Sequence, residues 1–188
     1  ASTVEGANYD ELEWIVGINF WGVVYGTKEF LPYLKKSGDG HIVNISSLFG
    51  LTAQPTQSAY NATKFAVRGF TESLRQELDL QKCGVSALCV HPGGIRTNIA
   101  NAAKVNQSLK SLGMHPEKSV SSFNKLLRIP PEEAARQILD AVLKDKRRLL
   151  IGNDAKFLDA LQRVMPAKYQ YITGLLTGMN KKPRNQIV

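Results

Sequence analysis

Three shortages set the first limits on this chain of 188 residues. Cysteine occurs only at Cys83 and Cys89, the second inside an apolar run, so neither a disulfide framework nor a cysteine metal site is expected. Histidine occurs at His41, His91 and His115, dispersed, with no metal-ligand spacing and no nucleophile pattern beside any of them. No apolar run reaches the length of a membrane span, and the opening ASTVEGANYDELEW has neither a basic nor an apolar segment of the signal-peptide kind. The expectation is a cytoplasmic protein with reduced thiols and no stable membrane insertion. Internal repeats and low-complexity stretches are also missing.

Charge is present but lopsided: 24 basic against 16 acidic residues leave a formal +8, which invites an anionic partner. Its distribution argues otherwise. The basic residues cluster in Lys144 to Arg148, at an expected helix end where cations are favoured anyway, and in Lys181 to Arg184, in a tail. No aromatic residue is interleaved with either run, as a base-stacking platform would need, so solvated charge and no nucleic-acid partner are expected. With 43% hydrophobic residues, the chain is expected to form a single domain over residues 1–188.

A long helix is expected from Tyr9 to about Lys36, capped by Asn8 or Asp10 and ended by Ser37-Gly38-Asp39-Gly40. Its apolar residues, Trp14, Ile15, Val16, Ile18, Phe20, Trp21, Val23, Val24, Phe30 and Leu31 among them, go most of the way round the cylinder, more than one sheet face covers. A second covering surface follows, and a homodimer or homotetramer through helices 9–36 and 58–80 is the expected source. Asn19 lies in the middle of this helix, either as a satisfied core amide or with a specific partner, because burying it unpaired costs roughly 1–3 kcal/mol. Gly22 to Lys28 looks faintly like a phosphate loop, but it is one residue short and lies inside the helical pattern.

Gly40 to Ser46 reads as a short buried strand, after which Ser47-Leu-Phe-Gly50 turns away from its carboxyl end, where open parallel sheets bind ligands. A polar loop to Gln57 leads into a helix from Ser58 or Gln57 to about Leu80, then a strand at Val85–Val90 and a turn at His91-Pro92-Gly93-Gly94. Residues 98–128 carry a weak pattern and are expected to form a lid over a site. A helix opened by Pro130-Pro131-Glu132-Glu133 and running to about Lys146, a strand at 148–152, a helix over 154–165 and a partly packed C-terminal remainder complete the reading. Strand, helix, strand in this order predicts an α/β fold with a parallel sheet.

Within this frame Tyr60 and Lys64 stand four residues apart on one helix face, one turn from each other. A cation within about 4–6 Å favours the ionised phenol, which makes such a tyrosine a candidate acid or base near neutrality. The spacing alone is common. An ordered series of residues is not: Asn19 in the long helix, Ser47 in Asn44-Ile-Ser-Ser, Tyr60-Asn-Ala-Thr-Lys64, and Pro92-Gly93-Gly-Ile95-Arg-Thr97 after the next strand. In that series the chain resembles the short-chain dehydrogenase/reductase family.

The resemblance implies the C-terminal part of a Rossmann-like, doubly wound parallel sheet in three α/β/α layers. It implies a hydride moved between NAD or NADP and a carbonyl or alcohol substrate, which the lid leaves free to be apolar. Tyr60 would be the general acid/base, Ser47 would bond the same substrate oxygen, Lys64 would lower the tyrosine and hold the nicotinamide ribose, and Asn19 would hold a water near Lys64. Pro92, Gly93, Ile95 and Thr97 would shape the nicotinamide pocket. Two departures stand out: His91 replaces a frequent asparagine, and the family's Gly-rich cofactor turn and N-N-A-G stretch have no counterpart in these residues. An N-terminally incomplete Rossmann-like domain is therefore expected. The alternatives are a non-catalytic dinucleotide-binding or regulatory protein of the same fold, and an inactive fragment of the enzyme.

Overall fold

The computed structural model describes residues 1–176. Asn8 starts α1 (Tyr9–Val16) by accepting the Glu11 N–H on its side chain at 2.8 Å, and Asp10 and Glu11 in the first turn suit the positive end of the helix. The rod continues through a π turn, Gly17–Trp21, into α2 (Gly22–Ser37), so the single helix expected here is interrupted at Asn19. One extra residue per turn is not visible in an apolar pattern, and such turns concentrate at functional sites.

Strand β1 (Gly40–Ile45) is followed by a short 3-10 turn, Leu48–Gly50, and by α3 (Ser58–Gln81). Strand β2 runs from Val85 to Pro92, which corrects the expectation that His91 and Pro92 belong to a turn. The physical reason lies in the ladder. β2 pairs with β1 only as far as Val90 and with β3 (Arg148–Ile151) from Cys89 to Pro92, while Gly93 N–H reaches the Ile151 carbonyl at 2.8 Å. The side of Pro92 that lacks an N–H therefore faces the position where β1 has already ended, and no ladder bond is lost.

Residues 98–128, expected as a weakly structured lid, contain a 3-10 turn, Gln107–Leu112, and α4 (Pro116–Asn124). Helix α5 (Pro131–Leu143) opens on Pro131 with Glu132 and Glu133 behind it and stops three residues before the expected end. Helices α6 (Asn153–Val164) and α7 (Tyr169–Leu176) follow β3. The basic run 181–184 lies outside the described residues.

The sheet has three parallel strands in the order β1-β2-β3, and β2 at its centre is almost wholly buried, as a strand covered on both faces must be. On one face Ile42, Val85 and Ala87 pack with Leu74 and Leu78 of α3 and with Leu31 and Leu34 of α2. On the other, Leu88 and Val90 pack with Ala134 and Ala141 of α5. This is a three-layer α/β/α Rossmann-like arrangement. Fully burying a side chain such as Leu78 contributes about 2 kcal/mol, and two polar staples add direction to this apolar contact. Asn44 donates to Thr71 Oγ1 at 3.0 Å, and Ser46 Oγ to the Lys64 carbonyl at 2.8 Å, so α3 can neither slide nor rotate on β1.

The Lys144–Arg148 run closes the junction between α5 and β3 with ion pairs. Lys144 meets Asp140, Arg147 meets Asp79 and Arg148 meets Asp159, while Asp145 receives both terminal nitrogens of the buried Arg75 at 2.8 and 2.7 Å.

Candidate active site

The carboxyl ends of β1 and β2 are neighbours, and the residues singled out in the sequence converge there from four elements. Ser47 leaves β1 in an extended conformation and caps the 3-10 turn, its Oγ accepting the Phe49 N–H at 3.1 Å. Tyr60 stands on the first turn of α3, one helical turn before Lys64. The Ser47 side chain stands near enough to the Tyr60 phenol to draw its pKa down, and the Phe49 ring meets the Tyr60 ring edge-on at 6.0 Å between centroids.

Lys64 places its Nζ 5.6 Å from the centroid of the Tyr60 ring and donates to the Ile45 carbonyl at 3.0 Å. Burial holds the ammonium below the ordinary lysine value. The tyrosine moves the other way from the expected one: burial pushes the phenol above its ordinary value, and the Ser47 side chain opposes that only in part. The reason is placement. The cation lies over the ring and satisfies a strand carbonyl, whereas the phenol is partly withdrawn from water, and desolvation disfavours its charged form.

Asn19 projects from the π turn and donates from Nδ2 to Thr63 Oγ1 at 3.2 Å, and Thr63 donates to the Tyr60 carbonyl at 2.8 Å. The amide is half-buried and has the specific partner that its setting called for. It ties α1 and α2 to the turn of α3 that carries both Tyr60 and Lys64.

Pro92, Gly93, Ile95 and Thr97 leave β2 as a tightly bonded segment. Ile95 N–H reaches the Gly93 carbonyl at 3.0 Å, Thr97 N–H the Ile95 carbonyl at 2.9 Å and Arg96 N–H the Ile129 carbonyl at 2.8 Å. No hydrogen bond among the described residues joins this segment to Tyr60 or Lys64; its place beside them comes from the adjacency of β1 and β2.

Three contributors escaped the sequence reading. Asp154, at the start of α6, accepts the Gly94 N–H on Oδ2 at 2.8 Å, and its carboxylate fills the space where a Cβ on Gly93 would stand. Gly50 lets the 3-10 turn rest on α3, because a Cβ there would meet the Lys64 carbonyl oxygen at 2.7 Å. Tyr169, buried in α7, donates no sequence signal at all, yet its hydroxyl oxygen accepts the Ala53 N–H at 3.0 Å and steadies the loop before Tyr60. Of the three only Gly50 had a readable cue, a glycine directly after the serine turn.

Fold and site together define a Rossmann-like α/β protein with a serine, a tyrosine and a lysine gathered at the carboxyl edge of a parallel sheet. The chain belongs to the short-chain dehydrogenase/reductase family: the profile described as short chain dehydrogenase matches residues 2–108. It is 49% identical over 168 residues to SadH of Mycobacterium tuberculosis, an oxidoreductase by name, covering 89% of this chain and 59% of SadH. It thus spans about three fifths of that relative's length. A short-chain dehydrogenase from Streptomyces avermitilis superposes with a TM-score of 0.73 at 26% identity, over 96% of this chain and 66% of that one. A short-chain dehydrogenase/reductase from Burkholderia phymatum, solved in complex with NAD, gives 0.73 at 19% identity over 99% and 66% of the two chains, which speaks for the fold alone.

Proposed function

We propose that the intact protein is an NAD(P)-dependent oxidoreductase acting on a carbonyl or alcohol group, with Tyr60 as its general acid/base. The observation that carries this is the Lys64 ammonium 5.6 Å from the centroid of the Tyr60 ring, one helical turn away, with the Ser47 side chain acting on the same phenol. The residues at the site suit the nicotinamide half of the cofactor. Lys64 is a half-buried cation able to bond ribose hydroxyls, and the Thr97 hydroxyl retains its own proton for donation, since its oxygen only accepts from Ile99 N–H at 3.4 Å. When bound, the nicotinamide supplies the hydride chemistry.

The chain's own part is the proton. A half-buried phenol kept in its protonated form at neutral pH suits donation to the oxygen of a carbonyl undergoing reduction. Ser47 Oγ holds that oxygen within reach, and in the oxidative direction Lys64 is the nearby cation that favours the phenolate. Asn19 keeps α3 seated at Thr63, and in this reading it also holds a water near Lys64 that gives the proton a route to solvent.

The test is Tyr60→Phe in the intact protein, assayed with NADH and NADPH against a panel of aldehydes and ketones. Turnover falls by a factor on the order of 10² or more while cofactor binding, followed by fluorescence, is retained. Wild-type turnover in that variant would refute the assignment.

Three further features belong to the same reading. The run from α1 through the π turn into α2 exposes Trp14, Ile18, Trp21 and Tyr25 at helical spacing, and Phe65 of α3 is exposed as well, surface that a second copy of the chain would cover, giving a homodimer or homotetramer. Residues 98–128 act as the lid: Gly94 accepts the N–H groups of Arg128 and Ile129, at 2.9 and 3.0 Å, so the lid is pinned at its root while Ile99, Leu112 and Leu126 stay exposed for an apolar substrate. Both cysteines are free, in keeping with a reducing, cytoplasmic location, and among the described residues no helix is long and apolar enough to cross a membrane.

A further inference from the structure

The strand end that carries Pro92 also carries His91, which the proposed mechanism leaves unused. Its side chain is completely buried, on the face of β2 that Ala87 shares with α3. Nδ1 lies 3.1 Å from the carbonyl oxygen of Ser47. A carbonyl oxygen only accepts, so Nδ1 bears the proton and Nε2 the lone pair. Nε2 is buried with no hydrogen-bond partner among the described residues, so the ring is held in place by one polar contact and that contact is to Ser47.

The same carbonyl also accepts the Gly50 N–H at 3.0 Å. Both of its acceptor directions are taken, one by the turn that Ser47 opens and the other by the neighbouring strand. The peptide plane after Ser47 is thereby fixed from two sides. Ser47 Oγ depends on that plane, because it must accept the Phe49 N–H at 3.1 Å and meet the Tyr60 phenol at once. Burial lowers the imidazole to about 4, so it stays a neutral donor throughout the neutral range.

We infer that His91 is a positioning residue of the site: its Nδ1–H holds the Ser47 carbonyl and so aims the Ser47 hydroxyl at the Tyr60 phenol. The inference rests on the reading of Ser47 and Tyr60 as the working pair. A residue that merely fills the core would be replaceable by any side chain of similar volume; a positioning donor is replaceable only by another donor.

His91→Leu and His91→Asn, in the intact protein, separate these cases. Leucine keeps the bulk and removes the donor, so kcat falls about tenfold or more with the cofactor KM nearly unchanged, whereas asparagine, which offers an amide N–H, recovers most of the loss. In a Ser47→Ala background His91→Leu adds nothing, because the group it positions is gone. Carbon-13 NMR of ring-labelled tyrosine supplies a readout free of turnover: Tyr60 titrates higher in His91→Leu than in wild type, and does not in His91→Asn. If His91→Leu does not fold, His91→Met repeats the test with a second side chain that has no donor. The inference is overturned by a folded His91→Leu or His91→Met protein with unchanged Tyr60 titration, or by an equal loss of kcat with and without Ser47. A wild-type protein inert toward every carbonyl tested would instead refute the functional reading, and the tyrosine titration would still decide the role of His91.

Discussion

The contact between the Ser47 turn and α3 is the tightest joint of the site, and Gly50→Ala tests it. A Cβ added at residue 50 would stand 2.2 Å from Ser46 Oγ and 2.7 Å from the Lys64 carbonyl oxygen. Ordinary contact begins near 3.4 Å, so the turn must back away from the helix by about 1 Å. The backbone of α3 does not yield, being held by Asn44–Thr71 on one side and by its own ladder on the other. The displacement breaks the 2.8 Å Ser46–Lys64 hydrogen bond, at about 1 kcal/mol, and the overpacking adds roughly 1–3 kcal/mol. A total loss of about 2–4 kcal/mol is expected in urea denaturation, with no change in the slope of the transition. Function suffers more than stability. Ser47 is the first residue of the displaced turn, and a misplacement of roughly 1 Å lowers kcat/KM on the order of 10²-fold even where the protein remains folded. Wild-type stability together with wild-type kcat/KM in Gly50→Ala would show that the turn does not depend on this close approach, and the account of how Ser47 is held would fail.

Asp154→Ala removes the acceptor of the buried Gly94 N–H, at about 1–3 kcal/mol, and frees the Gly93–Gly94 segment. The cofactor KM should rise severalfold with a smaller effect on kcat, and an unchanged KM in steady-state assays would count against a nicotinamide wall at Pro92–Thr97. His91 is lowered from 6.5 to about 4 by burial, so the unfolded chain binds the extra proton and stability is lost as pH falls through that interval. The full loss is about 3 kcal/mol, and denaturation midpoints followed between those two pH values should show a slope that His91→Asn abolishes. Arg75→Met leaves Asp145 and Asp79 without their buried partner, costing about 1–3 kcal/mol at neutral pH. The Arg75 hydrogen bond holds Asp145 below its ordinary value, so that contribution is present above the usual aspartate range and disappears as pH falls through the folded value. The gap between wild type and Arg75→Met in thermal midpoint should accordingly narrow in acid; a gap independent of pH would contradict the pairing.

Residues that act through their own neighbourhood were legible in the sequence. The strands at Gly40–Ile45 and Arg148–Ile151 lie on short apolar runs, the first opened by Gly40 and the second closed by Gly152, and α3 begins at Ser58, because period and turn chemistry are local properties of the chain. Tyr60 and Lys64 share a helix face for the same reason, and the ordered spacing of Asn19, Ser47, Tyr60, Lys64 and Pro92–Thr97 was enough to indicate the family. What the tertiary structure decided lies in contacts that no period encodes. His91 meets Ser47 across 44 positions and Asp154 meets Gly94 across 60, pairs set only by the order of strands in the sheet. The π turn at Asn19, the passage of β2 through Pro92 and the upward shift of Tyr60 were equally hidden. Each depends on what stands opposite in space: α3 against the π turn, the early end of β1 beside Pro92, and the packing that withdraws the phenol from water. The sequence determined which groups are present and on which local element. Packing determined which of them touch, how far each is withdrawn from water, and therefore which protonation state each one holds.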